Sequence, residues 1–204
     1  MAAPRNHIKV FVASTVYNFQ TELNQIYDLL DGFGYDVLNS HKGTVSLDSS
    51  KSNLNICLDG VDECDVFVGF IRPDYGSSVL DPGGKSITHQ EFDRSTIRKI
   101  PRFILVDDRV SFTKSLIRKA QVIDNGLVIK VDSSNIDFKD KNIMDIRCVQ
   151  MYEEMTKDKV LPASSRIGHW VQEYESLNDI KLHLDSQFKY PVRIQALIDK
   201  ITRL

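Results

Sequence analysis

Ile8-Lys9-Val10-Phe11-Val12-Ala13-Ser14-Thr15 is the stretch on which the fold turns. It is β-branched, almost continuously apolar and too short for a helix, the pattern of a strand buried on both faces. Working forward, Phe19, Leu23, Ile26, Tyr27 and Leu30 recur at helical spacing and are stopped by Gly32 and Gly34. Tyr35 to Leu38 is a short second strand, and the polar stretch from His41 to Lys51 reads as a loop. Leu54, Cys57, Leu58 and Val61 mark a second helix, with Cys57 on its apolar stripe and expected in the core. Val66-Phe67-Val68-Gly69-Phe70-Ile71 is another buried strand, closed by Arg72-Pro73-Asp74-Tyr75-Gly76. The segment from Ser77 to Lys85 contains Asp81-Pro82-Gly83-Gly84 and reads as loop. A third helix runs from about Ile87 to Lys99.

Further along, Phe103 to Val106 is a strand, residues 111 to 123 look helical, and Leu127 to Val131 is expected as the fifth strand. Strands alternating with helices make βαβ units, and right-handed crossovers then build a parallel sheet with helices on both faces. The spacing predicts an α/β domain over residues 1–132 with the flavodoxin-like order 2-1-3-4-5. After Asp132 the grammar changes. Ile143 to Met155 is helical, Lys157 to Gly168 is polar, and Leu177, Ile180, Leu184 and Phe188 form an apolar stripe broken at Tyr190-Pro191. Ile194, Leu197, Ile198 and Ile201 form a last one. Residues 133–204 are therefore expected as a helical extension packed on the sheet domain, with Trp170 in its core.

Composition narrows the function classes. The 204 residues carry 26 lysines and arginines against 28 aspartates and glutamates, a formal net charge of -2. That balance argues against a nucleic-acid coat or a polybasic membrane binder. No apolar run approaches the roughly 20 residues of a bilayer span, and no signal-peptide core follows Met1-Ala2-Ala3-Pro4. A soluble cytoplasmic protein is expected. Cys57, Cys64 and Cys148 are odd in number and lack a C-x-x-C spacing, so neither a disulfide scaffold nor a structural zinc site is expected.

In a sheet of this order, ligands bind beyond the carboxyl ends of the strands, where the winding reverses between strands 1 and 3. Strand 1 ends in Ser14-Thr15-Val16-Tyr17, strand 3 in Arg72-Pro73-Asp74-Tyr75-Gly76-Ser77, and the third helix opens with Thr88-His89-Gln90-Glu91. Hydroxyls, two tyrosines, an arginine and a carboxylate are thus expected around one crevice, which suits a sugar-phosphate ligand. Other motifs fail. Gly84-Lys85-Ser86 is not a phosphate-binding P-loop, because Val79 stands where its first glycine must be. No G-x-G-x-x-G follows strand 1, no G-x-S-x-G elbow occurs, and the histidines lack metal-ligand spacing.

Val10-Phe11-Val12-Ala13-Ser14-Thr15 with Tyr17 resembles the opening of the bacterial DUF4062 domain family, a relative of TIR domains. Cys57-Leu58, Cys64 to Gly69, Arg72 to Ser77 and Ser86 to Phe92 resemble its later blocks, in order, over about residues 8 to 108. The resemblance implies a flavodoxin-like TIR-type fold and cleavage of the nicotinamide–ribose bond of NAD, by hydrolysis or cyclisation, in antiphage defence. It places Glu91 at the main catalytic position. Ser14, Thr15, Tyr17, Arg72, Tyr75, Ser77 and Thr88 are then candidate substrate-binding residues, with tyrosines stacking on a base and Arg72 on phosphate. NAD is substrate rather than cofactor, no metal is implied, and self-association or a separately encoded effector is the expected partner.

Three readings stay open. Besides an NAD-consuming enzyme, the same glutamate suits a nucleoside deoxyribosyltransferase, where it would attack the sugar covalently. The third reading is a non-catalytic module that senses a nucleotide or assembles through its sheet domain. Bland roles compete at each residue: Thr88-x-x-Glu91 has the form of a capping box, and Ser14 or Thr15 could cap the first helix.

Overall fold

The computed structural model describes residues 7–76, 84–98, 100–124 and 127–203. Its elements are β1 (Lys9–Ala13), α1 (Gln20–Gly32), β2 (Asp36–Leu38), α2 (Asn53–Glu63), β3 (Val66–Ile71), α3 (Ile87–Arg98) and β4 (Arg102–Asp107), followed by α4 (Asp108–Lys119), β5 (Gln121–Asp124) and β6 (Leu127–Lys130). The chain ends with α5 (Ile146–Thr156), β7 (Val171–Tyr174), α6 (Leu177–Phe188) and α7 (Pro191–Thr202). Five strands form a parallel sheet in the order β2-β1-β3-β4-β7, the winding expected of a flavodoxin-like α/β fold. Contacts divide the chain into two units that interleave in sequence. One holds residues 1–69, 76–103 and 176–204, the other 70–75 and 104–175. The boundary expected at 132/133 falls inside the second.

In the first unit β1 lies between β2 and β3, with Phe11 opposite Leu38 on one side and Phe67 on the other. The rings of Phe11 and Phe67 stack at 6.0 Å, and Phe92 of α3 meets Phe67 edge-on at 5.1 Å. Glycine lets both helices approach this face. A Cβ on Gly60 of α2 would stand 2.8 Å from Phe11, and one on Gly69 of β3 would run into the Phe92 ring. Val10, Val12, Val66 and Val68, which alternate with these residues, are equally buried, so the strands are covered on both faces. α1 packs against β2 and α6. There the Tyr35 hydroxyl donates to the Phe188 carbonyl at 2.8 Å, while the Phe188 ring lies 5.6 Å from Tyr35 and 4.7 Å from Phe103. α6, expected in an appendage, is therefore part of the core that carries β1 to β3.

In the second unit β4 and β7 pair in parallel, Ile104 opposite Val171 and Asp107 opposite Tyr174. Asp107 caps α4 by accepting from the Arg109 N–H at 3.1 Å, and α4 packs on α5 and β7. Lys114 of α4 is buried, and its ammonium binds Asp158 at 2.8 Å and lies 4.3 Å over the Tyr152 ring.

Three expectations need correction here. The fifth sheet strand is β7 rather than residues 127–131, which instead form an antiparallel hairpin with β5, Val122 opposite Ile129. The helix expected to reach 123 stops at Lys119, because residues 121–124 are the first arm of that hairpin. Trp170 is 76% exposed rather than core, since it precedes a short edge strand instead of a packed helix. Among the described residues no helix is long and apolar enough to cross a membrane.

Candidate functional site

A cavity of about 480 Å³ opens in the first unit, where residues following β1, β2 and β3 meet the amino-terminal turns of α2 and α3. Its wall from β1 is Ser14 to Tyr17. Ser14 donates to the Thr15 carbonyl at 3.0 Å, and α1 starts at Gln20 behind an Phe19 N-cap with no side-chain bond, so neither Ser14 nor Thr15 caps the helix. Thr15 is buried against the turn after β3. Gly76 adopts φ +82°, and a Cβ there would come within 2.5 Å of the Thr15 methyl, so glycine is required on two counts.

The wall from β2 is set by Asn39. Its amide donates to the Val12 carbonyl at 3.2 Å and accepts from the Lys42 N–H at 3.0 Å, and its own N–H donates to the Thr44 hydroxyl at 2.9 Å. These bonds fold the loop so that Ser40, Val45 and Leu47 face the cavity. α2 begins under a Ser52 cap that accepts from the Asn55 N–H, and its first turns present Asn53, Ile56 and Cys57.

α3 supplies the acid. Ser86 caps it, its hydroxyl accepting from the His89 N–H at 3.2 Å and its carbonyl from the Gln90 N–H at 3.0 Å. The helix thus starts before Thr88, the Thr88-x-x-Glu91 capping box does not form, and Glu91 lies in the second turn. There it is only 3% exposed and lines the cavity. Burial raises the Glu91 carboxyl from 4.5 to about 7, opposed by a hydrogen bond from the Cys57 thiol. Cys57 in turn is pushed up to about 12, first by burial and then by the Glu91 charge, while the Ser40 hydroxyl hydrogen-bonds to its sulfur. Among the described lining residues Glu91 is the one side chain that takes up a charge near neutral pH. The other polar groups are neutral hydroxyls, an amide and a thiol.

Ser14, Thr15, Tyr17, Thr88 and Glu91 are therefore brought together as expected, with Tyr17 66% exposed at the rim. Arg72 and Tyr75 are not among the lining residues, because β3 carries the chain into the second unit before Gly76. Arg72 is buried with its guanidinium 3.3 Å from Asp74. Tyr75 is buried under the Arg147 guanidinium at 4.2 Å, itself held by Asp145 at 2.6 Å, so its ring is already stacked. Ser77 lies outside the described residues. Cys57, Ser40, Asn53 and Ser86 were not expected at the site. For Ser86 a signal existed, a serine immediately before the apolar start of a helix.

Fold and cavity define a doubly wound α/β protein with one buried acid in a pocket of neutral polar groups beyond the carboxyl ends of its strands. The family described as "Domain of unknown function (DUF4062)" matches residues 9–189, and the chain belongs to it. The match runs well past the expected limit near residue 108 and takes in β7 and α6. No curated protein matches the chain. A crystal structure of a conserved protein from Enterococcus faecalis V583 is similar at 13% identity and TM-score 0.39, over 88% of this chain and 98% of that one.

Proposed function

We propose that the cavity cleaves the bond between ribose C1′ and the nicotinamide nitrogen of NAD. The observation that carries this reading is Glu91, a buried carboxyl facing a cavity otherwise lined by neutral groups. Nicotinamide leaves with the bonding electrons and becomes neutral, so its departure needs no acid. What the reaction needs is negative charge beside a ribose that becomes oxocarbenium-like, and a fixed carboxylate in a water-poor wall supplies it. Water then adds to C1′ to give ADP-ribose, and an acid poised near pH 7 suits accepting its proton. An adenine nitrogen adding instead would give a cyclic product. Ser14, Thr15, Ser86 and Thr88 offer hydroxyls to the sugar.

A second reading, base exchange on deoxynucleosides with Glu91 as nucleophile, draws support from the same neutral lining, which suits a sugar and base without phosphate. Incubation with NAD and, separately, with a pair of deoxynucleoside and free base, resolved by chromatography and mass, separates the two. Nicotinamide release supports the first reading and a new deoxynucleoside the second. Silence on both, at high protein concentration and with self-association verified, would count against both.

A further inference from the structure

Glu91 is buried in the cavity wall, and none of the described lysines, arginines or histidines forms an ion pair with it. A buried carboxylate is costly unless a positive charge compensates it, and here that charge has room to arrive only with a ligand. We propose that the cavity selects a positively charged, phosphate-free N-riboside, a pyridinium nucleoside such as nicotinamide riboside, over its phosphorylated forms. The proposal rests on the reading that Glu91 faces the scissile bond, and it narrows the substrate from the dinucleotide to its nucleoside half.

Phosphate recognition calls for guanidinium or ammonium groups, and the cations nearest in sequence to the lining residues are engaged elsewhere. Between β2 and α2, Lys42 lies 5.3 Å over the Tyr27 ring and Lys51 holds Asp59 at 2.8 Å. Ahead of α3, Lys85 holds Asp93 at 2.7 Å. None of the three lines the cavity. Ser77 to Gly83, outside the described residues, include no lysine or arginine in their sequence. The amino-terminal turns of α2 and α3 border the cavity, and a bare helix start attracts anions. Both starts are capped, the Ser52 hydroxyl accepting from the Asn55 N–H and the Ser86 hydroxyl from the His89 N–H, each at 3.2 Å. Glu91, in the second turn of α3, already supplies the negative charge that such a start favours, so a phosphate brought there meets a carboxylate. For a cation the balance reverses. Tyr17 at the rim adds to it, because the face of an aromatic ring attracts positive charge.

On such a nucleoside the step needs no co-reactant beyond water. The C1′–N bond breaks with its electron pair passing to the ring nitrogen, which cancels the pyridinium charge. A water oxygen bonds to C1′, and its proton leaves through Glu91 to solvent. Nicotinamide, ribose and a proton are the products.

The test is a binding series on the intact protein at pH 8, above the Glu91 midpoint of about 7. Calorimetry compares three probes that cannot be cleaved: carbocyclic nicotinamide riboside, which is charged, benzamide riboside, its uncharged counterpart, and the 5′-phosphate of the carbocyclic riboside. The charged nucleoside should bind about tenfold or more tighter than benzamide riboside, and the added phosphate should weaken it about fivefold or more. In Glu91→Gln the preference for charge should shrink to within about twofold. Equal binding of the charged and uncharged ribosides by wild type, equal or tighter binding of the phosphorylated one, or binding of none of the three would overturn the proposal. So would a preference for charge that survives in folded Glu91→Gln. The wild-type comparison decides by itself if that variant does not fold. Because no probe is cleaved, failure of this proposal is read in binding and failure of the NAD reading in nicotinamide release.

Discussion

Ionising Glu91 where it sits costs the folded protein stability. Its folded value of about 7 lies above the ordinary 4.5, so between those values the folded state binds more protons than the unfolded one. Stability is therefore full below pH 4.5 and falls as pH rises to 7, by about 3 kcal/mol in all. Glutamine, which cannot ionise, should remove this loss. Glu91→Gln is expected to match wild type in urea unfolding at pH 4.5 and to be more stable at pH 8. An offset that is the same at both pH values would show that the acid is not strained by burial. For the same reason, kcat/KM for NAD should rise with pH through about 7 in the free enzyme. Glu91, Ser14, Thr15, Tyr17 and Thr88 were legible in the sequence because each sits at a strand end or helix start, where topology alone places ligands. Cys57 was not. Its apolar spacing describes the stripe α2 turns inward, and periodicity cannot say that the first turns of that stripe border a cavity rather than core.

β1 and β3 could be read at the level of the element because central parallel strands are continuous apolar runs. β7 could not, since Val171-Gln172-Glu173-Tyr174 is a short edge strand with only Tyr174 buried. Leu127-Val128-Ile129-Lys130 has the stronger β composition but is exposed throughout, its backbone paired with β5 rather than with the five-stranded sheet. Element packing also makes a test. Gly69→Ala would drive a methyl into Phe92, the neighbour of Glu91, and within 2.7 Å of the Phe67 ring. It should cost about 1–3 kcal/mol in chemical denaturation and lower activity by shifting α3. Unchanged stability would mean α3 does not press on β3 as described.

At the scale of the whole molecule, the chain returns from its second unit to complete the first. Phe188 is fully buried against Tyr35 and Phe103, 153 residues after Tyr35 in the chain. Phe188→Ala should therefore lower unfolding stability by about 3–5 kcal/mol, where a detached appendage would lose little. Trp170, the single tryptophan, reports on the second unit. At 76% exposure its fluorescence should be red-shifted and readily quenched by iodide, whereas a blue-shifted, protected signal would restore the helical-extension layout. The most direct test of the whole account is nicotinamide release from NAD by wild type and by Glu91→Gln, at matched concentration and with folding checked. The account expects release by wild type and a loss of about 10²–10³-fold in the variant. Release that is equal in the two proteins would contradict it.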